Sequence, residues 1–274
     1  MASSHVRKPA LARHWIAASN GAQLTLKISV VTAVYNGAGT IRDALASVKS
    51  QSWPHIEQVV VDGASRDGSA ELLHSMRDQF AVFVSERDGG IYDALNKGVS
   101  RCTGDVIGFL HADDLLADNM ALSRVAAAFV DPAIDAVYGD LVYVQKDDPT
   151  KVVRYWRSES FDRSRLAWGW MPPHPTFFMR RSLYERMGGF DTSYRIAADY
   201  DHMLRVLSSG IGVAYIPHVQ VRMRVGGASN RSLRNIVLKS AEDYRALRSN
   251  EIGGIGALVW KNLSKIPQFV KPPG

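Results

Sequence analysis

The feature that most constrains the fold is a regular alternation of strand and helix patterns through the first half of the chain. Short apolar runs rich in β-branched residues alternate with segments whose apolar residues recur at helical spacing. The predicted strands are 24–34, 56–61, 81–85, 106–111 and 136–144, and the predicted helices begin near Thr40, Ser69, Ile91 and Met120. Successive parallel strands need crossover connections, so this order predicts an α/β fold with a doubly wound, mostly parallel sheet flanked by helices.

Acidic residues stand where several of the predicted strands end. Asp62 ends the second strand, Asp88 follows the third, and Asp113 with Asp114 ends the fourth. In open α/β sheets, ligands bind outside the carboxyl ends of the strands. This edge of the sheet is therefore the predicted functional site.

The adjacent acids Asp113 and Asp114, in the segment 108–114 (GFLHADD), need an explanation of their own. Two neighbouring carboxylates behind a buried run repel each other and cost free energy to desolvate unless a cation is near. A helix N-cap would use one acid. A divalent cation such as Mg²⁺ or Mn²⁺, shared with substrate phosphates, would use both, and His111 could be a further ligand or a hydrogen-bond donor.

Two glycine-containing segments have alternative interpretations. The strand that ends in Asp62-Gly63 could simply enter a turn, or its acid could hold a nucleoside. In 88–98 (DGGIYDALNKG), the glycines before a helix suit close approach of an anion. The same segment also fits a turn followed by an amphipathic helix with an Asp93–Lys97 pair four residues apart.

A second pair of acids, Asp199 and Asp201, lies at the start of a predicted helix at 197–207. Acids there compensate the helix dipole. A general base would instead require one of these carboxylates to face a cleft. The local sequence does not separate the two interpretations, nor the two acids.

Several common motifs are absent from the sequence. No G-x-G-x-x-G follows the first strand, and neither a P-loop nor a zinc-type Cys/His cluster occurs. The single cysteine, Cys102, excludes an intrachain disulfide and fits a reducing, intracellular setting. The first residues lack the apolar core of a signal peptide, and no run approaches the about 18 apolar residues of a membrane span.

The charge distribution suggests three parts: an N-terminal tail at 1–25, a main domain at 26–225 and a basic amphipathic helical extension at 226–274. From Arg222 onward, ten basic residues stand against three acidic ones, so this region holds the whole excess of a chain whose net charge is +6.

Residues 251–274 combine apolar residues at helical spacing with a predicted basic face, which could lie in a membrane interface, close the core or pack on a subunit. Nucleic acid is not an expected partner, because Trp260 and Phe269 are better explained as apolar anchors than as stacking platforms.

Taken in order, the segments are more specific than any one of them. The series 28–36 (ISVVTAVYN), 60–65 (VVDGAS), 88–98 and 108–114, followed by 174–176 (HPT) and 198–201 (ADYD), resembles family 2 glycosyltransferases with the GT-A fold. The resemblance covers roughly residues 26–225. Segment 88–98 is most similar to bacterial enzymes of exopolysaccharide and colanic-acid-type assembly.

The resemblance implies an inverting, metal-dependent glycosyltransferase. Such an enzyme moves a sugar from a UDP- or GDP-sugar to a glycan or lipid-linked acceptor in bacterial polysaccharide biosynthesis. The implied cofactor is Mg²⁺ or Mn²⁺. The implied location is cytoplasmic, with peripheral contact at the inner face of the cell membrane as a further expectation.

The resemblance also assigns site residues. Asp113 and Asp114 match the family's DXD-type acids, with Asp114 the expected direct metal ligand. Asp199 matches the general base, and Asp201 is the alternative. This sequence departs from the family in two places: residues 111–114 read His-Ala-Asp-Asp rather than a strict D-x-D, and Ala198 stands where many members have glutamate. The implied donor-binding residues are Ala33, Tyr35, Asp62, Asp88, Lys97, Asp113, Trp170 and His174.

Two other classes remain open at this point. A nucleotidylyltransferase would need a phosphate loop rich in glycine and basic residues after the first strand, and 35–42 (YNGAGTIR) lacks that richness. A non-catalytic nucleotide-sugar-binding subunit would bind the donor without turning it over.

Overall fold

The computed structural model describes residues 25–226 and 233–263. Within these residues, nine strands form one sheet in the order β3-β2-β1-β4-β8-β6-β9-β5, and β7 pairs with β6 beside this path. The strands are β1 (Ile28–Val34), β2 (Ile56–Asp62), β3 (Val82–Ser85), β4 (Val106–Phe109), β5 (Leu115–Leu116), β6 (Ala136–Val144), β7 (Val152–Trp156), β8 (Phe178–Arg180) and β9 (Val213–Arg224). The helices are α1 (Ile41–Lys49), α2 (Ser69–Ser75), α3 (Ile91–Val99), α4 (Ala121–Ala128), α5 (Arg181–Met187), α6 (Ala198–Ser208), α7 (Leu233–Ser249) and α8 (Ile255–Leu263).

The first four strands of the sheet path, β3-β2-β1-β4, are parallel, as the alternation predicts. Every residue of β1 is buried, which is typical of a strand covered on both faces. Val31 and Ala33 join one buried cluster while Val30 and Val34 join the other, because successive side chains point to opposite faces. The predicted α/β class is confirmed.

The second half of the sheet is mixed rather than mostly parallel. β8 pairs antiparallel with both β4 and β6, and β7 pairs antiparallel with β6, whereas β6 and β9 are parallel. Gly108 makes the β4–β8 contact possible, since a Cβ there would lie 2.1 Å from the ring of Phe178.

Strand β9 is longer than the predicted 212–217 strand. It continues past Pro217 to Arg224, and its register against β6 shifts between Gly139 and Asp140. Gly139 lies opposite Ile216 and Asp140 opposite Val219, so Pro217 falls in the irregular part. Prolines within sheets are tolerated at such irregularities, where the ladder is already interrupted.

The C-terminal extension packs on the main domain. Ala246 and Leu247 of α7, with Ala257 of α8, belong to the same buried cluster as Val31 of β1. No described helix is long and apolar enough to cross a membrane. The predicted tail at 1–25, apart from residue 25, and the part of the predicted extension at 264–274, which includes Phe269, lie outside the described residues.

The prediction that the extension has a basic face is wrong for α8. Lys261 points inward, with its ammonium 2.7 Å from the Asp243 carboxylate, and only 2% of its side chain is exposed. The large apolar side chains of α8 point to solvent instead: Ile255, Val259, Trp260 and Leu263. The helix is amphipathic, but its larger apolar side chains are exposed, while the small Ala257 joins the buried cluster and Lys261 pairs with a buried carboxylate.

Candidate functional site

The predicted nucleoside-binding residues lie together at the carboxyl ends of the parallel strands. Asp62 is fully buried at the end of β2, where its carboxylate accepts hydrogen bonds from the Ser85 hydroxyl at 2.7 Å and the Ser65 amide at 3.2 Å. Val34 and Ala33 of β1 pair with Asp62 and Val61 across the sheet. This pairing brings Ala33 within reach of the same edge.

Gly63 allows Asp88 to approach this edge. A Cβ at position 63 would lie 2.4 Å from Oδ2 of Asp88 and 3.3 Å from the ring of Tyr35. The Tyr35 ring is 68% exposed, which leaves its surface open. The structure therefore brings together four of the predicted donor-binding residues, namely Ala33, Tyr35, Asp62 and Asp88.

Lys97 braces the loop that carries Asp88. Its ammonium pairs with Glu86 at 3.1 Å and with Asp93 at 3.3 Å, and it donates to the carbonyl of Arg87 at 2.8 Å. The predicted Asp93–Lys97 pair is confirmed. A direct contact of Lys97 with a donor stays a prediction.

The two adjacent acids have different surroundings. Asp114 has no exposed surface, and its Oδ1 accepts the Arg224 amide at 3.2 Å. Burial and then the charge of Asp113 raise the pKa of Asp114 well above its usual range, with Arg224 opposing. Asp113 is only half-buried, and its charge acts on His111. Asp113 thus faces the site, while Asp114 belongs to the packing beneath it.

Part of the positive charge beside the acid pair is the protein's own. The buried Arg224 guanidinium donates to the Asp43 carboxylate at 2.6 Å and to the backbone carbonyls of Asp113 and Lys146 at 3.1 Å each. Sequence reasoning missed this contact, because Arg224 follows Asp114 by 110 positions. Only the pairing of β5 with β9 brings the two together.

Asp199 is held on the opposite side by Tyr92. The Tyr92 hydroxyl donates to Oδ1 of Asp199 at 3.1 Å and to the carbonyl of Ile196 at 2.5 Å. Burial, and then the charge of Asp199, raise the pKa of Tyr92 far above its usual range, so the hydroxyl keeps its proton. Tyr92 lies in segment 88–98, but nothing in the sequence showed its target.

Two buried histidines, His111 and His174, respond to the charges of the acids of the site. Burial lowers the pKa of His174 to about 4, against the opposing charge of Asp199, so its ring is neutral at pH 7. Burial also lowers the pKa of His111, which the charges of Asp113 and Asp199 oppose. The two ring centroids are 6.0 Å apart. Among the described residues, neither His111 Nδ1 nor His174 Nε2 meets a hydrogen-bond partner.

The structure separates Asp199 from Asp201. The two lie two positions apart on α6, about 200° around the helix axis, and so cannot share a face. Asp201 is buried, accepts from Nδ2 of Asn250 at 2.9 Å and lies 3.6 Å from the Arg205 guanidinium. Asp201 therefore points toward Asn250, the residue after α7, whereas the charge of Asp199 acts on His111 and His174.

Trp170, a predicted donor contact, is half-buried in packing. Its ring meets Tyr138 edge to face at 5.8 Å, and the Arg165 guanidinium lies 5.2 Å from its centroid. Donor contacts by Trp170 and His174 stay predictions.

The described residues fit a metal only if the cation is shared with a ligand. No group of three or more His, Cys, Asp or Glu side chains within 25–226 and 233–263 is arranged to hold a metal ion. Mg²⁺ commonly binds through one or two carboxylates together with substrate phosphates, and needs no such cage. The half-buried Asp113 suits that arrangement, and the buried Asp114 suits it less.

Comparison with known sequences agrees with this arrangement. The family model "Glycosyl transferase family 2" matches residues 29–188, which is more than half of the chain. A "PGL/p-HBAD biosynthesis glycosyltransferase" of Mycobacterium bovis is 31% identical over 219 residues, covering 77% of this chain and 82% of that protein. An uncharacterized glycosyltransferase of Rickettsia typhi is 29% identical over 229 residues, and the match covers 81% of this chain and 70% of that protein.

Solved structures share the fold. TarS residues 1–349 from S. aureus match with a TM-score of 0.64 at 21% identity, covering 82% of this chain and 64% of that one. The mannosyltransferase PcManGT of Pyrobaculum calidifontis matches with a TM-score of 0.62 at 22% identity, covering 91% and 76%. The family match, these relatives and the shared fold agree with the parallel half of the sheet and the acids at its strand ends. The chain therefore belongs to glycosyltransferase family 2 and is a glycosyl-transferring enzyme with the GT-A fold.

Proposed function

We propose that the enzyme transfers a sugar, with inversion, from a UDP- or GDP-sugar to a glycan or lipid-linked acceptor in bacterial polysaccharide biosynthesis. The observation that carries the proposal is that the charges of two carboxylates, Asp113 and Asp199, both act on His111, whose ring centroid lies 6.0 Å from that of His174. Structures with the same fold support the donor class: TarS has been solved with UDP-GlcNAc, and PcManGT with GDP-Man and Mn²⁺.

The donor's nucleoside would lie at the ends of β1 and β2. The exposed Tyr35 ring offers a stacking surface, and the buried Asp62 and the half-buried Asp88 offer carboxylate acceptors for ribose or base donors. Asp113 would hold Mg²⁺ or Mn²⁺ together with the diphosphate. When bound, the cation supplies positive charge that offsets the negative charge developing on the leaving diphosphate.

Asp199 would act as the general base. An acceptor hydroxyl attacks the anomeric carbon while the bond to the diphosphate breaks, and its proton passes to the Asp199 carboxylate. Oδ1 of Asp199 is oriented by the Tyr92 hydroxyl, which leaves Oδ2 to receive the proton. A single in-line displacement needs one base and no enzyme nucleophile, and it inverts the anomeric centre.

The test is calorimetric binding of UDP and GDP with and without Mn²⁺, followed by nucleoside diphosphate release from UDP- and GDP-sugars. We expect metal-dependent binding of one nucleotide. Asp113→Asn should lose the metal-dependent part of that binding, whereas Asp199→Asn should bind normally and lose turnover. Absence of nucleotide binding would overturn the proposal, and binding without turnover in the parent would favour a non-catalytic subunit.

We also propose that the enzyme contacts a membrane surface peripherally, at the inner face of the cell membrane, through the exposed face of α8. Trp260 of α8 is 54% exposed, and its ring lies 6.2 Å from that of Trp168, which is 59% exposed. Tryptophan side chains favour the boundary between water and lipid. A lipid-linked acceptor would then be presented at the same surface.

A further inference from the structure

We propose that Glu242, on α7, is a positioning residue that sets the place of Asp199 on α6. The inference rests on the proposed role of Asp199 as the base. It concerns a part of the chain beyond the residues 29–188 that define the family match.

The Glu242 carboxylate binds three consecutive backbone amides just before α6. Oε1 accepts from Arg195 at 2.9 Å, and Oε2 accepts from Ile196 at 2.8 Å and Ala197 at 2.9 Å. Ala197 is the N-cap of α6, and its side chain makes no capping bond. The carboxylate therefore fixes the backbone that leads into α6 and sets its negative charge near the positive end of the helix.

The segment 195–197 is also held by a hydrogen bond from Tyr92. Ile196 donates its amide to Glu242, while its carbonyl accepts the Tyr92 hydroxyl that also binds Asp199. Glu242 and Tyr92 thus hold one peptide segment from opposite sides. Asp199 follows that segment by two residues.

Helix α7 is itself fixed beside Asp199. Asp243, the neighbour of Glu242, pairs with Lys261 of α8 at 2.7 Å and with Lys239 at 2.8 Å. The Lys261 ammonium lies 3.0 Å from the ring centroid of Tyr200, the residue after Asp199. The extension therefore holds the chain before and after the proposed base.

Replacing the carboxylate should move the base rather than the donor site. In Glu242→Gln, the amide nitrogen is a donor that would face backbone donors, so part of this three-bond contact is lost. A misplacement of about 1 Å can cost about 100-fold in rate. Since Tyr35, Asp62 and Asp113 lie at the ends of β1, β2 and β4 and not on the segment that Glu242 binds, donor affinity should not change.

A second buried glutamate provides the matched control. Glu57 is 4% exposed and Glu242 is 8% exposed, and Glu57 accepts the amides of Thr103 and Gly104 at 2.7 and 3.2 Å. It lies at the beginning of β2, at the opposite edge of the sheet from the site. Glu57→Gln removes the same kind of group without touching α6.

The experiment compares kcat, donor KM and Tm for the parent, Glu242→Gln and Glu57→Gln. Activity is the release of nucleoside diphosphate from the UDP- or GDP-sugar that the parent turns over, with water or simple alkyl glycosides as acceptors. We expect Glu242→Gln to lower kcat by about 10- to 100-fold at unchanged donor KM. We expect Glu57→Gln to lower Tm but to keep the parent kcat.

Tyr92→Phe tests the same segment without removing a buried charge. Because Tyr92 and Glu242 act on one peptide segment, the losses of kcat in the two single variants should not add in the double variant. Parent-like kcat in folded Glu242→Gln, or an equal kcat loss in Glu57→Gln, would overturn the inference alone. No turnover by the parent would overturn the proposed function as well.

Discussion

At the scale of single residues, two adjacent aspartates of the same chemistry have opposite environments. Asp113 is half-buried beside His111, whereas Asp114 is buried completely and bound to the Arg224 amide. The sequence led to the prediction that Asp114 is the direct metal ligand. The burial of Asp114 favours Asp113 for that role, and makes Asp114 the residue that fixes the loop on β9.

We expect Asp114→Asn to keep metal-dependent nucleotide binding while lowering stability. The amide oxygen can still accept the Arg224 amide, but the buried NH₂ group has to find a partner, at a cost of about 1–3 kcal/mol. Calorimetry and denaturant unfolding on Asp114→Asn and Asp113→Asn would check this. A folded Asp114→Asn that no longer binds nucleotide would restore the first assignment.

The sequence was informative where a residue's role follows from its place on a strand. Asp62 and Asp113 follow strands that converge on one edge, so the site could be located from their positions. The sequence could not show which of Asp199 and Asp201 is the better candidate for the base. That preference depends on the hydrogen bond from Asn250, the residue after α7, to Asp201. No local pattern encodes that contact.

At the scale of elements, α8 shows the limit of periodicity. The spacing of its apolar residues predicted an amphipathic helix, and the helix is present. Which face is buried depends on the partner, and here Asp243 and the Tyr200 ring draw Lys261 inward. The exposed apolar face is the basis of the proposed membrane contact.

Trp260→Ser should weaken binding to vesicles of phosphatidylglycerol and phosphatidylethanolamine by about 3- to 10-fold, because burial of a large apolar side chain is lost. Co-sedimentation measures the bound fraction. Val153→Ser is the matched control, since Val153 is 49% exposed on β7, at a different surface. Equal binding of parent and Trp260→Ser would contradict the proposed contact.

At the scale of the whole molecule, the two ends of the parallel strands differ in function. The carboxyl ends of β1, β2 and β4 carry the candidate site. At the other edge, burial raises the pKa of Glu57, but hydrogen bonds from Lys27, Ser29 and Thr103 outweigh it and lower the pKa to about 2. That edge holds polar groups whose contacts stabilise the fold.

Glu57→Gln should therefore lose stability in a pH-dependent way. The folded-state pKa is depressed, so the contribution of Glu57 is fully present above about pH 4.5 and is lost as the pH falls toward 2. Because Lys27 is partly exposed and solvent screens it, we expect a loss of about 1–2 kcal/mol at pH 7. Urea unfolding at pH 7 and pH 3.5 should show the gap between parent and variant narrowing, with nucleotide binding unaffected at pH 7.

The global architecture was predictable where strand patterns alternate regularly with helix patterns. The alternation of strands and helices gave the parallel half, since each crossover places the next strand beside an earlier one. The insertion of β8 between β4 and β6 was not predictable, because it depends on Phe178 packing over Gly108. The β1–β4 pairing spans a similar separation, but it belongs to the regular alternation, whereas no repeated pattern marks the position of β8.

The anchoring of α6 by α7 also orders events during translation. The ribosome releases a chain from its N-terminus, and domains generally fold as units. The strands that carry Tyr35, Asp62 and Asp113 emerge long before residues 233–263, which supply Glu242 and its supports. We therefore expect a chain that ends before α7 to lack the three contacts that hold the segment before the proposed base.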